Sequence, residues 1–203
     1  GGGGNGTLVG GLGADTLIGG SGSDTADYST SVSAVTVNLL SSTGLGGDAQ
    51  DDSYSGIENI LGSANADRLT GDTGANSLSG GSGDDTLSGG AGADTLNGGS
   101  GTDVADYSGS LVGITVNLTT GTGIGGDADL DVLTGIENVL GGTSDDVLTG
   151  GTGSNVITGG LGNDTLRGGG GTDTLNGGSG NDVFFGDAGV SVIDGGGDSD
   201  TIN

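Results

Sequence analysis

The chain has 203 residues, 54 of them Gly, with no Pro, Cys, Met, Trp or His, and only 30% of its residues are hydrophobic. That is too little apolar material for an ordinary packed core of this length. With 27 acidic residues against 2 basic ones and a formal net charge of -25 at pH 7, nucleic acid is excluded as a partner, because phosphates would be repelled.

The acids are almost all Asp; only Glu58 and Glu137 are Glu. Short carboxylates among glycines suit a hard, oxygen-ligated cation such as Ca²⁺. No apolar run is long enough for a membrane-spanning helix. The lack of Cys removes disulfide staples without fixing the compartment. The chain starts inside a repeat, without an initiating Met or a signal pattern, and reads as a fragment of a longer protein.

In chain order, a nine-residue repeat fills residues 1–27, 62–106 and 141–203. Examples are GGLGADTLI from Gly10, GGSGDDTLS from Gly80, GGAGADTLN from Gly89, GGLGNDTLR from Gly159 and GGSGNDVFF from Gly177. The pattern is G-G-x-G-x-D-x-U-x, with U large and apolar. Its first six residues are turn material, since Gly accepts positive φ and lets carbonyls converge. Its last three alternate polar, apolar, polar, which predicts a short strand with one inward side chain. The inward column is Leu8, Leu17 and Ala26, then Leu69, Leu78, Leu87, Leu96 and Ala105, then Leu148, Ile157, Leu166, Leu175, Phe184, Ile193 and Ile202. Two repeats make one turn, and strands stacked at about 4.8 Å form two parallel sheets. Carboxylates stacked at that spacing repel unless a cation lies between turns.

The repeat breaks twice, after GGSGSDTADYS and after its near-copy GGSGTDVADYS. The inserted stretches, 28–61 and 107–140, align without gaps and are identical at more than half their positions. Each is expected to continue the solenoid as wider coils with an even number of half-turns, close to two ordinary turns. VTVNL and ITVNL predict strands longer than three residues, and GLGGDA and GIGGDA predict turns holding Asp48 and Asp127. GIENIL and GIENVL predict further strands whose inward residue stays open. Ala26 and Ala105 leave space for Tyr28 and Tyr107. The expected organisation is one continuous roll over 1–203 with the inserts inside it.

The nonapeptides resemble the RTX (repeats-in-toxin) family, Ca²⁺-binding modules of proteins exported by bacterial type I secretion. The resemblance implies an all-β, right-handed parallel β-roll: two short-stranded parallel sheets with Ca²⁺ in the turns, here interrupted by two wider-coil inserts. It also implies ligands. Each ion takes carbonyls from positions 2 and 4 and the position-6 side chain of one loop, with carbonyls 1 and 3 and the position-6 side chain of the loop two repeats on. Asp85, with Gly81 and Gly83, then faces Asp103, with Gly98 and Ser100. Asn76, with Gly74, faces Asp94, with Gly89 and Ala91. Asp67 faces Asp85, and Asp146 faces Asp164, with Gly159 and Leu161. Asn155, with Gly151 and Gly153, faces Asp173, with Gly168 and Gly170. Asp164, with Gly160 and Gly162, faces Asp182, with Gly177 and Ser179. Asp182, with Gly178 and Gly180, faces Asp200, with Gly195 and Gly197. Asp15 and Asp24 occupy the same position in the first run. Neutral Asn predicts weaker sites, and Gly6 and Ser191 at the Asp position leave the pairs Gly6/Asp24 and Asp173/Ser191 incomplete.

Within the inserts, Asp48, Asp52, Asp127 and Asp131 read equally as further Ca²⁺ ligands or as solvated turn residues. Glu58 and Glu137 read as surface or strand-edge residues, and Arg68 and Arg167 as outward side chains against local carboxylates. The chain is expected to be a structural module that folds on Ca²⁺ outside a bacterial cell or at its surface, with no catalysis of its own; a parent enzyme would carry its catalysis elsewhere. The alternative is a surface-layer, filament or adhesin segment, or a polysaccharide-binding module, which self-associates or holds an anionic polysaccharide through Ca²⁺.

Overall fold

A computed structural model describes residues 2–186 and 192–203. Its regular structure is short β-strands and two single 3-10 turns, divided between two compact units, Gly1–Asp103 and Val104–Asn203. Ser191 lies outside the described residues.

In the first unit one parallel sheet stacks Thr7–Leu8, Thr25–Asp27, Asn59–Leu61, Ser77–Ser82 and Thr95–Ser100, in the register Leu8, Ala26, Ile60, Leu78, Leu96. A second aligns Val37, Leu69 and Leu87 through Thr36–Asn38, Arg68–Thr70 and Thr86–Ser88. Thr16–Ile18 pairs in parallel with Ser53–Ser55, setting Leu17 beside Tyr54. The second unit repeats this plan. One sheet aligns Ala105, Val139, Ile157, Leu175 and Ile193, and the other aligns Val116, Leu148, Leu166, Phe184 and Ile202. Each unit is thus an all-β parallel roll.

Like side chains stacked in register make the core. Leu69, Leu78, Leu87 and Leu96 are fully buried, as are Leu148, Ile157, Leu166, Leu175 and Phe184. Each contributes roughly 1.5–3 kcal/mol. Not every residue of the expected column is inside: Leu8 and Ile193 are half-buried, and Ile202, on the outermost strand of its sheet, is exposed.

Among the described residues five strands exceed the expected three, one of them Val192–Gly196. Ser77–Ser82, Thr95–Ser100, Val156–Leu161 and Thr174–Ser179 run on through their glycines into the loop. The missing Cβ atoms permit this. Gly81 and Gly99 pair with φ of +109° and +107°, and a Cβ on Gly99 would strike the Gly81 backbone.

The inserts differ from the expectation in size and direction. Ala26 and Ile60 are direct neighbours in their sheet, so residues 28–61 make one coil and not two. Across the roll that coil carries three strands where an ordinary coil carries one. Thr36–Asn38 pairs forward with Arg68–Thr70 and antiparallel with Thr43–Leu45, whereas Ser53–Ser55 pairs back with Thr16–Ile18. The chain therefore overshoots and returns in an S. In the second unit Thr115–Asn117, Thr122–Ile124 and Val132–Thr134 form the same antiparallel meander. The strands expected to be long pair over only three residues, Thr36–Asn38 and Thr115–Asn117, because Leu39 and Leu118 already lead into the reversal. The predicted turns are the 3-10 segments Gly47–Ala49 and Gly126–Ala128. Of the GIEN residues, Ile57 and Ile60 are buried and Ile136 and Val139 match them.

Candidate metal centre

The position-6 side chains form ladders along the edges of each roll. The main-chain N–H of one such residue donates to Oδ1 of the Asp 18 residues later: Asp67 to Asp85 at 2.7 Å, Asp85 to Asp103 at 2.8 Å and Asn76 to Asp94 at 2.8 Å. The second unit repeats it from Asp146 to Asp164, Asn155 to Asp173, Asp164 to Asp182 and Asp182 to Asp200, at 2.8, 2.9, 2.8 and 3.0 Å. One oxygen of each carboxylate is thereby oriented, and the other turns inward. The Oδ2 atoms of Asp15, Asp24, Asp85, Asp164, Asp173 and Asp182 are buried with no hydrogen-bond partner. A buried carboxylate oxygen in that condition is costly and calls for a cation.

The protonation of these groups points the same way. Burial, aided by neighbouring carboxylates and opposed by the ladder N–H, pushes Asp85 up to about 6 and Asp164 up to about 7. Burial also raises Asp146 and Asp182. A cation between them would let them ionise.

Main-chain oxygens share the space into which Oδ2 points. A Cβ on Gly80 would meet both Asp85 Oδ2 and, at 2.7 Å, the Gly98 carbonyl. Gly159 stands likewise between Asp164 Oδ2 and Gly177 O, and Gly177 between Asp182 Oδ2 and Gly195 O. Each cradle therefore joins the first glycine of a loop, its own Asp and the first carbonyl of the loop two repeats on. Among the described residues no three acidic side chains converge. A cation here would be held by a pair of carboxylates and by carbonyls, an all-oxygen set suited to Ca²⁺. The model of the RTX calcium-binding nonapeptide repeat matches residues 1–29, 52–87, 70–105, 132–166, 140–175 and 176–203. The chain belongs to this RTX family. Comparison with curated proteins finds no significant match. The stretches between the RTX matches, 30–51 and 106–131, lie in the inserts except for Asp106.

Several carbonyls assigned to RTX sites also accept N–H groups. Ser100 O accepts from Gly83 and Ser179 O from Gly162, both at 2.9 Å, and Gly151 O accepts from Gly170 at 2.9 Å. A carbonyl has two lone pairs, so one stays available.

The RTX loops that follow each insert are closed differently. Asp67 Oδ1 accepts the Val35 N–H at 2.7 Å and its Oδ2 accepts the Ser63 N–H. Asp146 takes the N–H groups of Ile114 and Gly142 at 2.8 and 2.7 Å. Asn76 Oδ1 accepts from Asp72, and its amide donates to Glu58 O at 2.9 Å; Asn155 Oδ1 accepts from Gly151, and its amide donates to Glu137 O. An amide can do what a carboxylate cannot, namely donate to a main-chain carbonyl. Asp200 orients on Asp182 from an exposed position.

Asp15 finds its ladder partner in the insert: its N–H donates to Asp52 Oδ1 at 2.8 Å across 37 residues. Asp52 Oδ2 accepts the Tyr28 hydroxyl at 2.7 Å, and Asp131 Oδ2 accepts that of Tyr107 at 2.9 Å. Asp52 thus spends both oxygens on protein donors, while Asp48 and Asp127 sit half-buried in the 3-10 turns away from the ladder. Arg167 is outward as expected, and its guanidinium lies over the Phe185 ring at 3.6 Å. Glu58 stands at the edge of the strand Asn59–Leu61, and its Oε2 accepts the Asp24 N–H at 2.8 Å, a role beyond the expected one. The signal was the repetition of GIEN at the end of both inserts.

Proposed function

We propose that this chain is a Ca²⁺-folded structural module of a bacterial protein that works outside the cell or at its surface. The carrying observation is the set of buried Asp Oδ2 atoms without protein partners. Asp85 with Asp103, Asp164 with Asp182, and Asp182 with Asp200 are the pairs best placed to hold ions, together with the carbonyls of Gly98, Gly177 and Gly195. Without a cation the ladders repel and the roll is unstable. With one, each site at 100 times its Kd contributes about 2.7 kcal/mol. Bacterial cytosol is poor in Ca²⁺ and the exterior is rich in it, so the chain would cross the envelope unfolded, as type I export requires, and fold on arrival. This reading assigns no catalysis, because the carboxylates pair along the edges of the roll and not across a substrate cleft. Circular dichroism of the metal-free chain tests it. The β signal is expected only after Ca²⁺ is added, and the same β signal after chelation at neutral pH would overturn the proposal.

A further inference from the structure

We propose that Glu58 and Asp24 form an additional Ca²⁺ site, of a make different from the nonapeptide sites, which ties the first repeat run to its insert. The inference rests on the Ca²⁺ reading above. In an ordinary cradle the first glycine of a loop stands between its own Asp and the first carbonyl of the loop 18 residues on. The loop from Gly19 to Asp24 has no such successor, since the repeat breaks there. Its cradle is nevertheless complete. A Cβ on Gly19 would meet Asp24 Oδ2 at 2.7 Å and the carbonyl of Gly56 closer still, so both oxygens face one point. Gly56 thus stands where Gly98 stands for Gly80.

The ladder bond is also preserved. Asp24 N–H donates to Glu58 Oε2 at 2.8 Å across 34 residues, as Asp67 N–H donates to Asp85 Oδ1 at 2.7 Å across 18. The segment Gly56–Ile57–Glu58 therefore does in three residues what GGxGxD does in six. Gly56, at φ +59°, reverses the chain, and the extra methylene of Glu supplies the reach that the shortened loop has lost. Glu58 N–H and Asn59 N–H both donate to Asp24 O, at 3.1 and 2.9 Å, which locks the two segments together. Gly20 O, in the position-2 place of its loop, lies 3.2 Å from a Cβ built on Gly56.

The second, independent observation is Asp24 itself. It is 0% exposed, Gly6 N–H takes its Oδ1 at 2.7 Å, and its Oδ2 is aimed at Gly19 and Gly56 without a hydrogen-bond partner. Asp24 Oδ2 and Gly56 O share the cradle, and the Glu58 carboxylate, held through Oε2 by the Asp24 N–H, brings the carboxylate charge there to -2. That suits Ca²⁺, with water completing the shell.

The test counts bound Ca²⁺ on the 203-residue chain by equilibrium dialysis, with circular dichroism in saturating Ca²⁺ as a check on folding. Glu58→Gln keeps an acceptor for the Asp24 N–H and removes only charge; it is expected to bind one ion fewer. Asp24→Asn, which keeps an acceptor for Gly6, is expected to lose the same ion, and the double variant no more than either single one. A Glu58→Gln chain that keeps every ion overturns the site while leaving the proposed function standing. An unaltered chain that binds no Ca²⁺ overturns both. Should Glu58→Gln fail to fold, Glu58→Asp decides, because its shorter carboxylate is expected to cost the same single ion and full retention would refute the site.

Discussion

A phenol has one proton, and at Tyr28 that proton goes to a carboxylate. Tyr28 donates to Asp52 Oδ2, so the 2.7 Å contact with Tyr54 is made by the Tyr54 hydroxyl donating to Tyr28. Burial, first, and these bonds raise Tyr28 far above its ordinary value; burial pushes Tyr54 up to about 12. Tyr28→Phe would leave a buried carboxylate oxygen and a phenol unpaired. It is expected to cost about 1–3 kcal/mol in urea unfolding of the Ca²⁺-saturated chain. Tyr107 likewise donates to Asp131 Oδ2, and Leu133 stands in the place of Tyr54 in that insert. At the same scale the ladder aspartates predict a pH response of the metal-free chain. An acid whose pKa is raised by folding stabilises the fold while protonated. The contribution is whole below 3.8 and is lost as pH rises through about 6 for Asp85 and about 7 for Asp164. Metal-free protein should therefore show more β structure by circular dichroism at pH 4 than at pH 7.5, and Ca²⁺ should reverse that order.

At the scale of elements, each Asp serves two neighbours. Asp85 receives the Asp67 N–H through Oδ1, points Oδ2 at Gly80, and offers its own N–H to Asp103. Asp85→Ala is accordingly expected to remove two bound ions in a calcium-binding titration, and a loss of only one would contradict this sharing. The strands were legible as polar-apolar-polar triplets, down to the inward residue of almost every one. Their extension through Gly80-Gly81-Ser82 was not, because it depends on a second strand lying close enough to use the missing Cβ. The inserts were legible as a duplicated element with a strand, a turn and a strand. Their reversal was not: which strand pairs forward and which pairs back depends on partners far along the chain, Arg68–Thr70 on one side and Thr16–Ile18 on the other.

At the scale of the whole molecule the formal charge of -25 dominates. Any divalent ion would screen it, but only one that accepts six to eight oxygens in flexible geometry fits cradles built of carbonyls and paired carboxylates. Mg²⁺ needs near-ideal octahedral geometry and gives up its water reluctantly. Folding followed by circular dichroism should thus require Ca²⁺ and remain incomplete at equal Mg²⁺; equal folding by both ions would mean that simple screening is enough.

The sequence by itself determined the repeat, the two sheets, the inward columns and the Asp ladder. A nine-residue period places like residues above one another, so local pattern and long-range contact carry the same information. Only the tertiary structure decided what happens where the period fails. Glu58 meets Asp24 across 34 residues, Asp52 meets Asp15 across 37, and Asp67 meets Val35 across 32. No local rule encodes those distances, because they arise from the S-shaped coil returning to the strand it left.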